Sequence, residues 1–371
     1  MMNARQISYI SFLAKEILGD IFSRLPVKTL LQLKFVCKRW CTLISTPWFI
    51  CAQLKRSSSD PDNHYILVQT ARARNGLIRT RNPGCLIKLT EPCKSAYSVV
   101  GSINGLVCLT TTCFRICLWN PSINQFKILP MHSINLQKAR KCYVSVGFGY
   151  EQNSDDYKVM MILNSQKGRS ETIVEVYSTK LESWRDVKTN HRLNMTTCCC
   201  DAIIEGFNYW VIRNMNKPRN IVLASFDLRR EIFSLIPVSE VLVTESQSFR
   251  AMNYHGSLAL LAYSSHTEFK TCLEVWMIEG GRCGEEGVWQ KKFTFGMGFE
   301  FSTHWGLTSG DIVVENAPNV PFLFNLRTKQ LRIIGTNSIR SVFYYTESLV
   351  SIKGFKPVPN QSKKKRKASI P

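Results

Sequence analysis

Residues 116–130 read ICLWNPSINQFKILP, an apolar run that ends in an aromatic residue, then a polar turn, then a second apolar run. Runs of this length bounded by Asn, Pro and Ser are typical of two β-strands joined by a turn. The pattern returns in VEVYSTKLESWRDV, LASFDLRREIFSLIP, LEVWMIEGGRCGEEGVWQKKF and PFLFNLRTKQLRIIG. Aligning Trp119, Val176, Phe226, Val275 and Phe324 gives spacings of 49 to 57 residues. The chain therefore contains a repeat with the length of a propeller blade.

A glycine turn that feeds another apolar strand lies upstream of four of the five segments. The glycines are Gly105, Gly206, Gly256 and Gly310, whereas in the remaining unit Gly149 and the polar NSDDY segment take this place. Each repeat is therefore expected to hold four strands. Such a unit cannot close its own core, but units stacked in a ring bury each face against a neighbour. The repeat predicts a kelch-like β-propeller, and residues 57–352 are long enough for about six blades.

The sixth blade has no complete repeat in the sequence. Its strands are expected to be shared between NHYILVQT at 63–70 and SIRSVFYYTESLVSIK at 338–353, which would clasp the two ends of the ring together. The alternative fold is a pair of β-sandwiches, because loops of uneven length could imitate a repeat.

The N-terminal region has the spacing of helices instead. One helix is expected to end at Pro26, a second to run from about Thr29, as its N-cap, to Phe35, and a third from about Val36 to Ile44. The segment LPVKTLLQLKFVCKRWCTLI at 25–44 carries ten apolar residues that point in too many directions for a single buried stripe. Three helices in about 40 residues leave much apolar surface open, which predicts an interface for a partner.

Composition and charge exclude several classes of protein. The chain has 371 residues, 44% of them hydrophobic, which indicates a folded globular protein. No signal-peptide pattern and no apolar run of the roughly 20 residues that span a bilayer are found, so we expect a soluble intracellular protein without membrane contact. The 14 cysteines contain no C-x-x-C pair, so we expect free thiols and no metal site.

The net charge of +21 raises the question of nucleic-acid binding. Part of it lies in the basic C-terminal segment, and no reading element accompanies the charge, so we expect no specific nucleic-acid complex and at most weak, salt-sensitive binding. The segment QSKKKRKASIP is typical of a nuclear-import signal, which predicts a protein of nucleus and cytoplasm. Its basic residues are Lys363, Lys364, Lys365, Arg366 and Lys367.

Nothing in the sequence indicates catalysis. The motifs G-x-S-x-G, H-E-x-x-H and G-x-x-x-x-G-K-[ST] are absent, and the six histidines are scattered singly. Asp155 and Asp156 are adjacent, and neighbours on an extended chain face opposite ways. The chain is therefore expected to be no enzyme and to need no cofactor.

The segment LAKEILGDIFSRLPVKTLLQLKFVCKRWCTLISTPWF at 13–49 resembles the F-box. INGLVCL, LWNPS, GFGYEQNSDDYKV, VEVYS, SFDL and YTESLVS follow in the order typical of the F-box-associated interaction domain (type 1) of plant F-box/kelch-repeat-like proteins. The resemblance covers about residues 12–352. One departure is Ala14, where the family usually has proline. Alanine is a good helix former, so the helix entry is expected to lose rigidity but not binding.

The resemblance implies a three-helix F-box at 1–55, a substrate-recognising propeller at 56–352 and a basic disordered tail at 353–371. It implies a substrate-recognition subunit of an SCF-type cullin ubiquitin ligase, whose partners are a Skp-type adaptor, a cullin and a protein target. The alternatives are a non-ligase interaction scaffold or a weak basic nucleic-acid-binding protein. Trp40, Leu43 and Ile44 are expected to pack inward, and the residues that bind the target are not identified. The expected adaptor-binding residues are Leu13, Ile17, Leu18, Ile21, Leu25, Pro26, Leu30, Leu31, Val36 and Cys37.

Overall fold

The fold is mainly β, with four short helices at the N-terminal end of the described chain. The computed structural model describes residues 14–60, 64–70, 77–80, 87–90, 92, 96–134, 142–165, 172–195, 197–213, 221–238, 242, 247–266, 270–279, 287–297, 301–306, 310–316, 320–334 and 339–359. Within these residues the strands form six β-sheets, each with at least four strands.

The four helices are α1 (Lys15–Ser23), α2 (Val27–Leu33), α3 (Lys38–Ile44) and α4 (Pro47–Ser59), and together they are called the helical unit. The prediction of three helices was wrong because Pro47, read as a stop, occupies the first turn of a further helix, where proline is well tolerated. Thr46 caps this helix by accepting a hydrogen bond from the Phe49 N–H at 3.2 Å. None of the described helices is long and apolar enough to cross a membrane.

The helix boundaries also correct the second predicted start. Thr29 lies inside α2, whose N-cap is Pro26 with backbone angles of −58° and 148°. Proline is restricted to this φ region, so it sets the chain direction at the entry to the helix. The predicted stop after α1 at Pro26 is thus also the start of α2.

The strands are grouped into six blades, numbered along the chain. Blade 1 holds β4 (Tyr97–Ile103), β5 (Leu106–Thr111), β6 (Ile116–Asn120), β7 (Gln125–Ile128) and β25 (Lys356–Pro357), and blade 2 holds β8 (Cys142–Glu151), β9 (Asp156–Ser165), β10 (Thr172–Ser178) and β11 (Ser183–Asp186). Blade 3 holds β12 (Ala202–Ile204), β13 (Phe207–Arg213), β14 (Ile221–Asp227) and β15 (Ile232–Pro237), and blade 4 holds β16 (Gln247–Tyr254), β17 (Ser257–His266), β18 (Lys270–Glu279) and β19 (Val288–Met297). Blade 5 holds β20 (Phe301–Gly306), β21 (Asp311–Asn316), β22 (Val320–Asn325) and β23 (Leu331–Ile333), and blade 6 holds β24 (Ile339–Thr346), β1 (His64–Thr70), β2 (Leu77–Thr80) and β3 (Ile87–Lys88).

The blades close into a ring through their first strands. β4 contacts β8, blade 2 meets blade 3 through β8 and β13, β12 contacts β16, β16 contacts β20, β20 contacts β24, and β24 returns to β4. A closed ring leaves no long sheet edge at these contacts. The predicted β-propeller of about six blades is confirmed, and the alternative of two β-sandwiches was wrong.

Blade 6 joins the two ends of the propeller, as the sequence predicted. Strand β24 pairs antiparallel with β1, with Leu67 opposite Phe343 and Val68 opposite Val342. Because β1 comes from one end of the propeller and β24 from the other, the ring opens only after the pairing of these two strands is broken.

The residues aligned in the sequence repeat occupy equivalent places. Trp119, Val176, Phe226, Val275 and Phe324 lie on β6, β10, β14, β18 and β22, the third strand of blades 1 to 5, and all five are buried. The repeat in the sequence therefore marks the residues that pack between neighbouring blades, which confirms the alignment of the five segments.

The glycine turns join the first and second strands of their blades. Asn104 and Gly105 both have positive φ, 52° and 79°, and His255 and Gly256 have 50° and 87°. Two positive φ values in a row define the two-residue hairpin turn whose twist matches that of the strands. In blade 2, Gly149 lies within β8, and Asp155 adopts the positive φ, so the turn is carried by the polar segment alone.

The turns at Gly105 and Gly256 form a matched pair for a stability test. A Cβ added at Gly105 would clash with Ser348 Oγ and lie 2.9 Å from the Thr346 carbonyl oxygen, whereas one added at Gly256 would meet nothing within 4 Å. We expect Gly256→Ala to cost about 1 kcal/mol from backbone strain alone. Gly105→Ala should cost about 1–3 kcal/mol more because Ser348 must move. Equal costs in urea denaturation would contradict the assigned contact.

The C-terminal residues pack on blade 1 and do not begin a tail at residue 353. Lys356 and Pro357 pair with Phe126 and Gln125 of β7, and the Val358 N–H donates to the Asn124 carbonyl at 2.9 Å. This pairing satisfies backbone groups at the outer edge of the blade. Residues 360–371 lie outside the described residues.

Candidate functional site

Helix α1 carries two apolar stripes, and they face different environments. Leu18 and Phe22 are four residues apart and buried, whereas Ile17 and Ile21, also four apart, are 51% and 43% exposed. Residues four apart lie on the same face of a helix, so each pair forms one stripe. One stripe belongs to the core of the helical unit, and the other is left exposed by the residues that the structure describes.

The inner stripe belongs to a core that reaches the propeller. It joins Val27, Leu30, Trp40, Leu43, Ile44 and Phe49 with Leu349, which follows β24. The predicted inward packing of Trp40, Leu43 and Ile44 is confirmed. Leu18 and Leu30, which were predicted to bind an adaptor, are both fully buried within this chain, so their side chains belong to its core. Helical spacing placed them beside exposed residues but could not tell which stripe the other helices cover.

The remaining predicted residues lie wholly or partly at the surface. Val36 is 43% exposed and Pro26 is exposed, while Leu25, Leu31 and Cys37 are half-buried at the margin of the core. Together with Ile17, Ile21 and Phe35, these residues are called the apolar face of the helical unit.

Phe35 is the most exposed large apolar side chain of the helical unit, at 90%, and the predicted adaptor-binding set omitted it. It was predicted to end the second helix, but it lies in the connection between α2 and α3. An aromatic residue at a predicted helix end is a sequence signal that could have identified it, because aromatic residues are enriched where proteins bind one another.

The entry to α1 tolerates the departure at Ala14. Its φ of −56° is the value to which a proline ring restricts the backbone, and its carbonyl accepts the first helical hydrogen bond from the Leu18 N–H at 3.1 Å. The backbone direction that proline would impose is therefore present. Leu13 lies outside the described residues.

Charges around the helical unit are mostly basic. Arg24 donates to the Asp20 carboxylate at 2.8 Å and Arg56 at 3.1 Å. The hydrogen bond from Arg24 is the main cause that lowers the pKa of Asp20, with Arg56 adding to it. The connections and ends of α2 and α3 carry Lys28, Lys34 and Lys38 without an acidic residue between them. These lysines form a basic rim, which favours a partner with acidic residues at the edge of its binding surface.

The helical unit is held against blades 1 and 2 through α4 and the C-terminal residues. Ile50 and Leu54 of α4 pack on the same core as Val350, Ile352 and Phe355. Asn120, at the end of β6, is fully buried, and its side-chain amide donates to the Ser348 carbonyl at 3.0 Å and to the Val350 carbonyl at 2.8 Å. Residues 348–358, called the C-terminal strap, thus contact both the helices and the propeller.

An ion-pair network adds to this attachment at the surface. The Glu182 carboxylate lies 2.7 Å from Lys127 Nζ of β7 and 2.6 Å from Lys353 Nζ of the strap. Hydrogen bonds from Lys127 and then Lys353 lower the pKa of Glu182 to about 2, so the carboxylate stays charged at neutral pH.

In the part of the chain that the structure describes, no three His, Cys, Asp or Glu side chains are grouped so that they could hold a metal ion. Residues of the target-binding surface are not assigned, and the basic residues Lys363 to Lys367 lie outside the described ranges.

Comparisons with known proteins agree with this two-part organisation. Residues 15–52 match the F-box-like family, and residues 69–348 match the family described as F-box associated beta propeller domain. An F-box/kelch-repeat protein of Arabidopsis thaliana is 24% identical, covering 91% of this chain and 94% of that protein. The F-box/WD-40 repeat-containing protein 1 of Arabidopsis thaliana is 26% identical, covering 79% of this chain and 70% of that protein.

A solved structure shares a more distant likeness. The six-bladed β-propeller lectin of Aleuria aurantia is 12% identical, covers 73% of this chain and 91% of its own, and has a TM-score of 0.43. The family match over residues 69–348 spans well over half of the chain and follows directly on the F-box-like match. The chain belongs to the plant F-box proteins that carry an F-box-associated β-propeller domain.

Proposed function

We propose that this chain is the substrate-recognition subunit of an SCF-type cullin ubiquitin ligase. The helical unit would bind a Skp-type adaptor, which links it to the cullin, and the propeller would bind the protein to be ubiquitinated. The membership in the F-box family supports this assignment, and the uncovered apolar face of the helical unit carries it physically.

The apolar face supports adaptor binding because its residues gain free energy only when a partner covers them. Ile17, Ile21 and Phe35 are 51%, 43% and 90% exposed. Burying an exposed side chain of this size contributes about 1.5–3 kcal/mol. Ile17 and Ile21 lie on one stripe of α1 and Phe35 lies in the connection after α2, and a partner that covers them would bury the apolar part of an interface with a basic rim.

The attachment of the helical unit supports the second half of the proposal. A ligase subunit must hold its target at a defined distance from the transferring enzyme, and a flexible linker would spread that distance. Here α4 and the C-terminal strap share the cores of both parts, with Leu349 in one and Val350 in the other. The target would therefore be presented by a rigid arm.

The chemistry of ubiquitin transfer would belong to the other subunits, and this chain would act as a binding protein without a cofactor of its own. We further propose that it works in the nucleus and cytoplasm, with Lys363, Lys364, Lys365, Arg366 and Lys367 read by an import receptor.

Affinity purification of the full chain tests the proposal. Wild type is expected to recover a Skp-type adaptor and a cullin, whereas the double variant Leu25→Ala, Pro26→Ala should lose both and keep the propeller-bound target. Chemical denaturation of both proteins shows whether the variant is still folded. If wild type recovers a target without any adaptor, the chain is better described as a non-ligase scaffold. If wild type and the double variant recover equal amounts of adaptor, docking through the helical unit is contradicted.

A further inference from the structure

The outer strand of blade 5, β23, presents an open edge. Among the strands that the structure describes, β22 is its sole partner. The Ile334 N–H donates to the Pro321 carbonyl at 3.1 Å, so the backbone of Ile334 faces β22. Backbone groups along an antiparallel strand alternate in direction, so Arg332 also faces β22 while the N–H and C=O groups of Leu331 and Ile333 point outward. Such groups are a template for another strand.

The same two residues carry exposed apolar side chains. Leu331 and Ile333 are 41% and 55% exposed, and they lie opposite Phe324 and Phe322 of β22. Residues directly opposite on two paired strands share one face of the sheet. Phe324 is buried in the core between blades 4 and 5, and Phe322 packs against that core. The apolar face of blade 5 therefore continues to its outer edge, where the described residues leave it exposed.

Blade 1 shows how an edge of this kind accepts a further strand. There β25 pairs with β7, and the Val358 N–H donates to the Asn124 carbonyl at 2.9 Å. The alignment of Trp119 with Phe324 places Asn124 at the position of Lys329 in blade 5. Both residues have a positive φ, 53° and 58°, so the turns before β7 and β23 are alike. The edge of β23 has the geometry that receives a fifth strand in blade 1.

Arg332 of β23 lacks the acidic partner that cations at the same place in other blades have. Lys127 Nζ of β7 lies 2.7 Å from Glu182, and Arg185 of β11 pairs with Glu231. All three cations lie three residues after the positive-φ residue of the turn before their strand. Arg332 is exposed and takes part in none of the ion pairs among the described residues. Its charge favours a carboxylate from another molecule.

The charges at this edge select the kind of strand that can pair with it. Arg327 and Lys329, in the turn before β23, are exposed as well. A second copy of the chain pairing through β23 would place Arg332 opposite Arg332, and like charges directly opposite are destabilising. The basic residues Lys363 to Lys367 of this chain would be repelled for the same reason. The edge therefore fits an acidic segment of a different polypeptide.

We propose that β23 binds an extended acidic segment of another protein as a fifth strand of blade 5. Successive residues of a strand face opposite sides of the sheet, so apolar residues opposite Leu331 and Ile333 would alternate with an acidic residue opposite Arg332. Main-chain hydrogen bonds supply affinity in this mode of recognition, and the alternating side chains supply selectivity. That the segment belongs to the ubiquitination target rests on the proposed ligase function.

Fluorescence anisotropy with the full chain and labelled heptapeptides tests the proposal. The probe alternates valine with glutamate and has blocked ends. A first control peptide replaces every glutamate with lysine, and it should bind at least about 10-fold more weakly because its charges oppose Arg332. A second control carries N-methylvaline in place of every valine. It should also lose about 10-fold or more, because the donors to the Leu331 and Ile333 carbonyls are gone.

A charge reversal at the strand identifies the residue that selects the probe. Arg332→Glu should weaken binding of the glutamate probe by about 10-fold and strengthen binding of the lysine peptide. Arg192→Glu makes the same change of charge at an exposed residue between β11 and β12, and it should alter neither affinity. Both variants should bind a Skp-type adaptor as wild type does, so failure of the strand pairing is distinguishable from failure of the ligase proposal.

Hydrogen–deuterium exchange shows where the probe binds. The glutamate probe should slow exchange of the outward N–H groups of Leu331 and Ile333, and it should leave β7, which β25 already covers, unchanged. Equal binding of the glutamate and lysine peptides would overturn the proposal, as would equal binding of the N-methylated control. Protection of another blade without protection of β23 would overturn it as well.

Discussion

Phe35→Asp is expected to weaken binding of a Skp-type adaptor by about 100-fold or more while leaving the chain folded. The side chain is 90% exposed and contributes little to the core, so a carboxylate there is solvated in the free protein. In the complex the same carboxylate would be buried against apolar groups without a partner, which costs several kcal/mol. Loss of the buried ring adds to this, and about 2.7 kcal/mol already corresponds to 100-fold. Titration of purified adaptor with wild type and variant measures the ratio.

Two control variants separate loss of docking from loss of folding. Leu181→Asp changes a 62% exposed leucine between β10 and β11 of the propeller, and it should leave adaptor binding unchanged. Leu30→Ala removes a fully buried side chain of the helical core and should lower the free energy of unfolding by about 2–4 kcal/mol. If Phe35→Asp binds the adaptor within about threefold of wild type, the apolar face is not the docking surface.

Asn120→Asp is expected to lower the free energy of unfolding by about 3–5 kcal/mol. The Asn120 amide nitrogen donates to two carbonyls of the C-terminal strap, at 3.0 and 2.8 Å, and the residue is fully buried. Aspartate has nearly the same shape, but its carboxylate would place an oxygen against these two carbonyl oxygens in place of the donor. The variant therefore loses both hydrogen bonds and buries an unpaired charge.

A natural aspartate at the equivalent turn of blade 3 provides the matched control. Asp227 ends β14 as Asn120 ends β6, and its Oδ1 accepts hydrogen bonds from the N–H groups of Arg229 and Arg230. The Asn120 Oδ1 accepts in the same way from the Ser122 N–H. Asp227→Asn keeps the accepting oxygen and should change stability by less than about 1 kcal/mol.

Urea denaturation measures both changes, and limited proteolysis locates the effect of the first. Because the strap contacts the helical unit through Leu349, Asn120→Asp should expose the strap and α4 to protease before the other blades. A loss of similar size in Asp227→Asn, or no loss in Asn120→Asp, would show that the amide donors of Asn120 do not hold the strap.

Much of the propeller could be predicted from its repeat because the physical demand recurs in each blade. A third strand that packs between two neighbouring blades needs a large apolar residue at the same place, as Trp119 and Phe226 show, and the hairpin before it needs positive φ, as at Gly105 and Gly256. Such local requirements leave a mark at fixed spacing. The pairing of β24 with β1 was predictable for the same reason, since the repeat is incomplete at each end of the propeller and the strands from the two ends must pair to complete a blade.

The proposed docking surface could be predicted only in part. Helical spacing selected Ile17 and Ile21, which are exposed, but grouped them with Leu18, which is buried, because adjacent apolar residues on one helix form two stripes that the sequence does not distinguish. Phe35 was predicted as the last residue of the second helix and was omitted from the set, whereas it lies in the connection between α2 and α3. The role of Pro47 as the first residue of α4 was also missed, since proline both ends and begins helices.

By itself the sequence determined that this chain has a short helical unit with surplus apolar surface, followed by a ring of about six blades closed by its two ends, since both follow from residue types at regular spacing. The tertiary structure alone decided which apolar stripe is buried and where the C-terminal strap fastens the two parts. Contacts such as that of Asn120 with Val350 join residues far apart in the chain, and such pairings produce no periodic pattern in a single sequence.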